Sequence, residues 1–377
     1  MGSLFSIELP IGPSDLLAIE RIVLDAGLLF PGNYLGEYPP RAVEYQRATF
    51  VDEVEFLALF DRNLISRVAQ LAAGKVVPGD ATGQASRVAA AALCFCAVSG
   101  IVIEPNIALY ELADTQGHDV AAAETRLFRI ADNCDPRALA DVATGAANRL
   151  LVRDSIVARV DQRYSAEPLC EPNFARTLAK WKLHYLYVLK VADLRRANNS
   201  PIQAASAMLR WQYEETFLNS VASSYCLNAI SHRPPKGRML KDFRSVDPSK
   251  LCRGIRNATW DIFLLSEFKK RLKRTDNKLW SLWTADVALR AVASNEFVRD
   301  SSDASAKLLA DLVARWGERD GALLADEYSR YNNLAQRDTD ERKEHLDIAF
   351  AHLNDMIRIL EAKLDIPMQK RLNIPSE

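Results

Sequence analysis

The sequence has no Cys-x-x-Cys pair and no grouping of cysteine with histidine at zinc-ligand spacing, which excludes a structural zinc site as the reading of Cys94, Cys96, Cys134, Cys170, Cys226 and Cys252. Dispersed thiols of this kind read as buried, reduced side chains, and a cytoplasmic protein is the expectation. Long apolar runs are also lacking. The longest, Val88 to Val98 followed by Gly100 to Ile103, is interrupted at Ser99-Gly100 and is too short to cross a bilayer. The amino-terminal stretch MGSLFSIELPIGPSD has no basic flank before an apolar core, so neither a signal peptide nor a membrane partner is expected. Histidine is scarce. His118, His184 and His232 have no Ser, Cys or Asp at a motif spacing, so no nucleophilic triad is legible, and His345 and His352 sit among Leu346 and Phe350 as structural residues. A formal net charge of -1 excludes a uniformly basic nucleic-acid binder.

What is present is the composition of an ordinary globular protein, 49% hydrophobic and 26% charged, and 377 residues suffice for two domains or for one domain with a large insertion. The opening predicts a helix from Pro13 to Ala26 and then an ordered loop from Phe30 to Pro40, punctuated by Gly32-Asn33 and Pro39-Pro40. Apolar strands are predicted at Glu55–Phe60 and Gly100–Ile103. Helices follow at Asn63–Ala73, at Gln84–Ala97 and after Pro105, the alternation of an α/β fold. From Val120 to His232 the alternation stops, and helices are expected at Val120–Ala131, Pro136–Val152, Phe174–Ala197 and Ile202–His232. A long helix from Lys250 to Arg274 precedes a third strand, Leu279 to Trp283, and its helix from Val287. Three helices close the chain at Ala304–Trp316, Gly321–Ala335 and Thr339–Leu364, the last with an apolar stripe that packs against the body or a partner copy. The expected fold class is α/β, a parallel-sheet core in a chain that is predominantly helical overall.

Four of the many carboxylates stand out by position. Asp61 and Asp286 each end an apolar strand, at the edge of a parallel sheet where ligands bind, and buried carboxylates there repel one another unless a cation neutralises them. Glu111 and Asp261 lie beside apolar helical residues, Leu109 and Leu112 for the first, Ile262 and Leu264 for the second. Oxygen ligands of this kind suit Mg²⁺ or Mn²⁺, which can activate a water and stabilise the leaving oxygen of a phosphodiester. A second reading stands beside it, because a strand-end aspartate also serves as the cap of the next helix. Asp261 on the same view is a solvated charge paired to an arginine.

At these residues the chain resembles the PIN nucleases, the fold of many toxin ribonucleases. Leu59-Phe60-Asp61-Arg62-Asn63 is similar to their strand, Asp-x-Asn, helix opening, and Ile103 to Leu112 resembles the second motif, a strand and a helix carrying Glu-Leu. Asp261-Ile262-Phe263-Leu264-Leu265 resembles the third motif and Thr284-Ala285-Asp286 the fourth. The resemblance implies metal ligation by Asp61, Glu111, Asp261 and Asp286, with Glu104 and Asp114 as substitutes for Glu111, and with Asn63 and Thr284 as polar supports. It implies an RNA substrate, an inhibitory protein partner of the toxin type, and it leaves room for a homo-oligomer. It covers residues 50–118 and 250–295, and the interval between Glu111 and Asp261 is far longer than in compact members. The implied organisation is an N-terminal extension over 1–50, a core over 51–118 and 250–300, a helical insertion over 119–249 and a helical extension over 301–377.

Between Arg233 and Arg274 thirteen basic residues face four acidic ones, a surplus suited to a phosphate backbone. Arg253, Arg256, Lys269, Lys270 and Arg271 are the residues of this segment assigned to nucleic-acid binding; the bland reading is a solvated face. The tryptophans read as core, with Trp260, beside Asp261, as the candidate exception. A haloacid-dehalogenase-type phosphatase would place a second aspartate where Asn63 stands. The Arg253-Gly254-Ile255-Arg256-Asn257 stretch is similar to the Arg-Asn start of a helical ribonuclease motif, with Asp261 in place of its histidine. Endoribonuclease activity is therefore the leading expectation. A non-catalytic helical scaffold and a metal-dependent phosphatase are its rivals.

Overall fold

The computed structural model describes residues 9–32, 41–166, 174–197, 200–234, 239–243, 245–273, 276–297, 301–337 and 339–366. Most of the expected loop from Phe30 to Pro40 lies outside the described residues, as do the expected loop residues Asn198 and Asn199, together with Cys170, Lys236, Arg238, Arg244 and Arg274. The chain forms two compact units, residues 1–170 with 268–285 and residues 171–267 with 286–377.

The first unit contains α1 (Pro13–Asp25), β1 (Leu29–Pro31), α2 (Ala42–Val51), β2 (Glu55–Phe60), α3 (Arg62–Ala72), α4 (Gln84–Ser99), β3 (Val102–Glu104), α5 (Asn106–Gln116), α6 (His118–Asp132), α7 (Pro136–Thr144) and α8 (Asp154–Ala166), with β4 (Lys278–Trp283) returning from late in the chain. Its four described strands make one sheet in the order β1-β4-β2-β3. Strand β2 is parallel to both β3 and β4, and β1 joins β4 antiparallel, so the sheet is mixed where a parallel one was expected. The three-residue β1 is too short for its alternation to be read, and its partner lies some 250 residues away in sequence.

Five of the six residues of β2 are buried, the continuous apolar run of a strand covered on both faces. Phe56, Ala58 and Phe60, on one face, share a core with Trp283 of β4 and with residues of α1, α2, α4 and α7. Phe60 stacks on Trp283 with ring centroids 5.5 Å apart. Helix α4 is alanine-rich and mostly buried from Val88 onward; among the described residues the segment Ala81–Ser99, which includes it, is long and apolar enough to cross a membrane by length and composition, and here α4 is a core helix. Gly100 ends it with φ 71, and the strand expected from Gly100 therefore begins only at Val102. Helices α6, α7 and α8 pack within this unit, so the stretch expected as an insertion, 119–249, falls across both units.

The second unit is helical: α9 (Phe174–Arg196), α10 (Pro201–Glu214), α11 (Ser220–Ile230), α12 (Pro248–Leu272), α13 (Val287–Glu296), α14 (Ser301–Trp316), α15 (Glu318–Ala335), α16 (Asp340–Ala351) and α17 (Leu353–Lys363), with the last turn of α12 belonging to the first unit. Helix α9 packs against α10, α11 and α17, with Leu186 to Leu189 buried without a break. The single helix expected over Ile202–His232 is two helices. Asn219 accepts from the Ala222 amide and so caps α11, starting a new helix. The helix expected over Thr339–Leu364 is likewise divided at His352. Gly321 of α15 lies against α14 where a Cβ would stand 2.6 Å from the Val313 backbone, which explains a glycine inside a helix.

Candidate functional site

The sheet delivers Asp61 and Thr284 to the carboxyl ends of its two central parallel strands. Phe60 is in register with Trp283, and the Asp61 amide continues the ladder by donating to the Trp283 carbonyl at 3.0 Å. Asp61 is 4% exposed. Its Oδ1 accepts from the Leu64 amide at 2.8 Å, capping α3, and its Oδ2 accepts a hydrogen bond from the hydroxyl of the fully buried Thr284. Asn63, expected as a support, is exposed on the first turn of α3.

Glu111 is half-buried in the second turn of α5, flanked by the buried Leu109 and Leu112. Asp114 is half-buried one turn on. Glu104, at the end of β3, is held by Arg271, whose Nη2 lies 3.1 and 3.0 Å from its two oxygens. Burial, and secondarily the Glu104 charge, raise the phenol of Tyr110 above its ordinary range.

In the second unit, Asp286 caps α13. Its Oδ1 accepts from the Ala288 amide at 2.8 Å and the Leu289 amide at 3.1 Å. Asp261 lies inside α12, and its Oδ2 is 3.1 Å from the hydroxyl of Tyr225 on α11. The same hydroxyl donates to the Met239 carbonyl at 2.6 Å. Tyr225 is fully buried, and its phenol is held far above the usual range by burial first, then by the charge of Asp261 and its hydrogen bond, and by the charge of Asp286. One buried phenol therefore senses both of the acidic residues predicted on this unit. No motif marks it: Tyr225 stands 36 residues before Asp261 in sequence, and only the packing of α11 and α12 joins them.

The basic residues divide. Arg271 is spent on structure, ion-paired to Glu104 and seated 4.9 Å from the Trp280 ring centroid. Arg256 lies 5.1 Å from the centroid of Trp181. Lys269 is half-buried, whereas Arg253 and Lys270 are exposed. All six tryptophans are buried, Trp260 included: it is 3% exposed and packs on Trp181 and Phe263, so it is no base-stacking platform. The described cysteines are buried thiols outside any disulfide. Burial pushes the Cys94 thiol up to about 12 and the Cys134 thiol to about 11, which leaves both inert as nucleophiles near neutral pH.

Two features bear on a cation. The donors are of the right kind, since Asp61, Glu111, Asp261 and Asp286 are hard oxygen ligands, and a carboxylate oxygen that already accepts one hydrogen bond keeps a further lone pair. Among the described residues, however, no three His, Cys, Asp or Glu side chains form a group that could hold a metal. Both strand-end aspartates act as helix caps, the alternative role their positions allow. No family model, no curated protein and no solved structure matches the chain.

Proposed function

We propose that the chain is a metal-dependent ribonuclease with a PIN-like core, hydrolysing a phosphodiester with Asp61, Glu111, Asp261 and Asp286 as its acidic residues. The observation that carries this reading is Asp61: a carboxylate buried at the carboxyl end of the middle parallel strand, tied to the Thr284 hydroxyl of the adjacent strand. Folding brings charge into such a place at a cost, and the open end of a parallel sheet is where a ligand can offset it. Mg²⁺ keeps several waters and is commonly held by one or two carboxylates together with substrate phosphates, so the reading does not need a preformed group of three. A bound divalent cation would supply the activated water and neutralise charge on the phosphate.

The chain's own contributions follow from its hydrogen bonds. The Leu64 amide and Thr284 hydroxyl fix the rotamer of Asp61, and the Ala288 and Leu289 amides fix that of Asp286. Fixed acceptors lose little freedom when a ligand arrives. Arg253 and Lys270, exposed on α12, offer positive charge to an RNA backbone.

A helical scaffold that binds a partner without catalysis is the rival, favoured by the capping roles of Asp61 and Asp286. Incubation of the purified chain with a mixed-sequence RNA, with Mg²⁺ and with excess chelator, separates the two. The ribonuclease reading expects cleavage that chelation abolishes, and the scaffold reading expects none in either tube.

A further inference from the structure

We propose that residues 340–364 form a two-state element: α16, turned aside at His352 in this structure, swings into line with α17 and makes one continuous helix along α9. All of these helices belong to the second unit, and the inference does not depend on the ribonuclease reading.

The bend has no cause in the sequence. Helices α10 and α11 are parted where Asn219 caps the second of them, but His352 gives α17 no side-chain cap, and the run Phe350-Ala351-His352-Leu353-Asn354 holds neither glycine nor proline. His352 has φ -90 and ψ 3, so a rotation of about 45° in ψ, with a smaller one in φ, returns it to helical backbone. The apolar stripe also runs through the bend. Leu346, Phe350, Leu353, Ile357, Leu360 and Leu364 follow at alternating steps of four and three, the seam of one helix packed on one partner along its whole length.

Only the later part of that seam is used. Leu353, Ile357, Leu360 and Leu364 are buried. Helix α17 is tied parallel to α9: Lys182 Nζ donates to Asn354 Oδ1 at 3.2 Å, the Tyr185 hydroxyl to Glu361 Oε1 at 3.1 Å, and Arg196 Nη1 to the Leu364 carbonyl at 3.0 Å. In α16, by contrast, Ala349 is the one buried residue, Leu346 is half-buried and Phe350 is 51% exposed. Two contacts hold α16 where it is. Arg342 donates to the Tyr213 carbonyl at 2.8 Å and sits over the Tyr213 ring, and Phe350 meets Phe217 edge-on with centroids 5.5 Å apart. In line, α16 has a helix to lie along, because α9 extends as far before Lys182, to Phe174, as Leu346 stands before Asn354. Straightening exchanges the two contacts for the helical hydrogen bonds interrupted at the bend and for packing of Leu346 and Phe350, so neither state dominates by a wide margin. The swing uncovers Tyr213 and Phe217, which makes α16 a strap over the end of α10.

The test is the distance between spin labels at two exposed positions, Arg210→Cys on α10 and Glu344→Cys on α16, read by pulsed electron paramagnetic resonance in the full chain carrying Cys170→Ser; the other cysteines are buried. Two distances are expected, one for each state. His352 is exposed and stands outside both helices, so substitution there leaves the present state folded and acts on the in-line helix alone. The share of the second distance should be about fivefold larger in His352→Ala than in His352→Gly, the difference in helix propensity between the two residues. A single distance, the same in all three chains, overturns the proposal. Two distances whose shares are equal in the alanine and glycine variants overturn it as well, since the motion then does not pass through a continuous helix at His352.

Discussion

The Thr284 hydroxyl donates to the Oδ2 of Asp61 and so ties the carboxyl ends of two neighbouring parallel strands by a bond between buried side chains. The partners stand 223 residues apart in sequence. The bond gives one oxygen of Asp61 a fixed donor while the helix cap occupies the other, and each bond restrains a carboxylate that water scarcely reaches.

Thr284→Val keeps the side-chain shape and removes the donor, which leaves Asp61 Oδ2 without that partner in the interior. The expected loss of stability is about 1–3 kcal/mol, read from urea unfolding. Thr284→Ser keeps the hydroxyl and should recover most of that loss. Equal stability of the valine variant and wild type would show that the bond contributes nothing.

His184 gives a pH dependence with a definite sign. It is buried on α9 between Tyr187 and Phe263, its Nδ1 has no hydrogen-bond partner among the described residues, and burial, with a smaller effect of Lys180, lowers its pKa to about 3. The unfolded chain takes up a proton at this histidine near its ordinary value of about 6.5, while the folded chain does not. Stability from this group is therefore complete above pH 6.5 and is lost as pH falls toward about 3. The slope is about 1.4 kcal/mol per pH unit. His184→Leu should flatten the stability profile over this window by that amount, and parallel profiles for the two proteins would refute the assignment.

The basic residues should separate by role. Exposed Arg253 and Lys270, changed together to Glu, are expected to weaken RNA binding and to lower the salt-dependence slope by roughly 1.5, since each phosphate that a cation neutralises adds about 0.7–0.9 to that slope. Arg271→Glu is expected to destabilise the first unit instead, because it puts two like charges against each other at Glu104 and removes the cation from the Trp280 ring. A salt slope unchanged in the double variant would make the basic run a solvated face.

The strands were legible where burial on both faces leaves an unbroken apolar run: Glu55–Phe60 has the expected limits, and the strand at Leu279–Trp283 is longer by Lys278 alone. Gly100 misled by two residues, because an αL cap looks in sequence like the start of a strand. Helix α2 was missed, since Tyr45 and Ala48 give too short an apolar stripe to stand out after Pro39-Pro40. The capping sites at Asp61 and Asp286 could be read from strand-end position. Tyr225 could not, because nothing in the spacing of α11 and α12 records which residues meet.

The most direct test of the central claim is single-turnover RNA cleavage in Mg²⁺ by wild type and by Asp61→Asn. Asparagine caps a helix as well as aspartate does, and the Thr284 hydroxyl can turn to accept where it now donates, so the variant should remain folded. Loss of the charge should nonetheless lower the cleavage rate by about three orders of magnitude, some 4 kcal/mol of transition-state stabilisation. Cleavage by Asp61→Asn at the wild-type rate would contradict the account and leave Asp61 a helix cap.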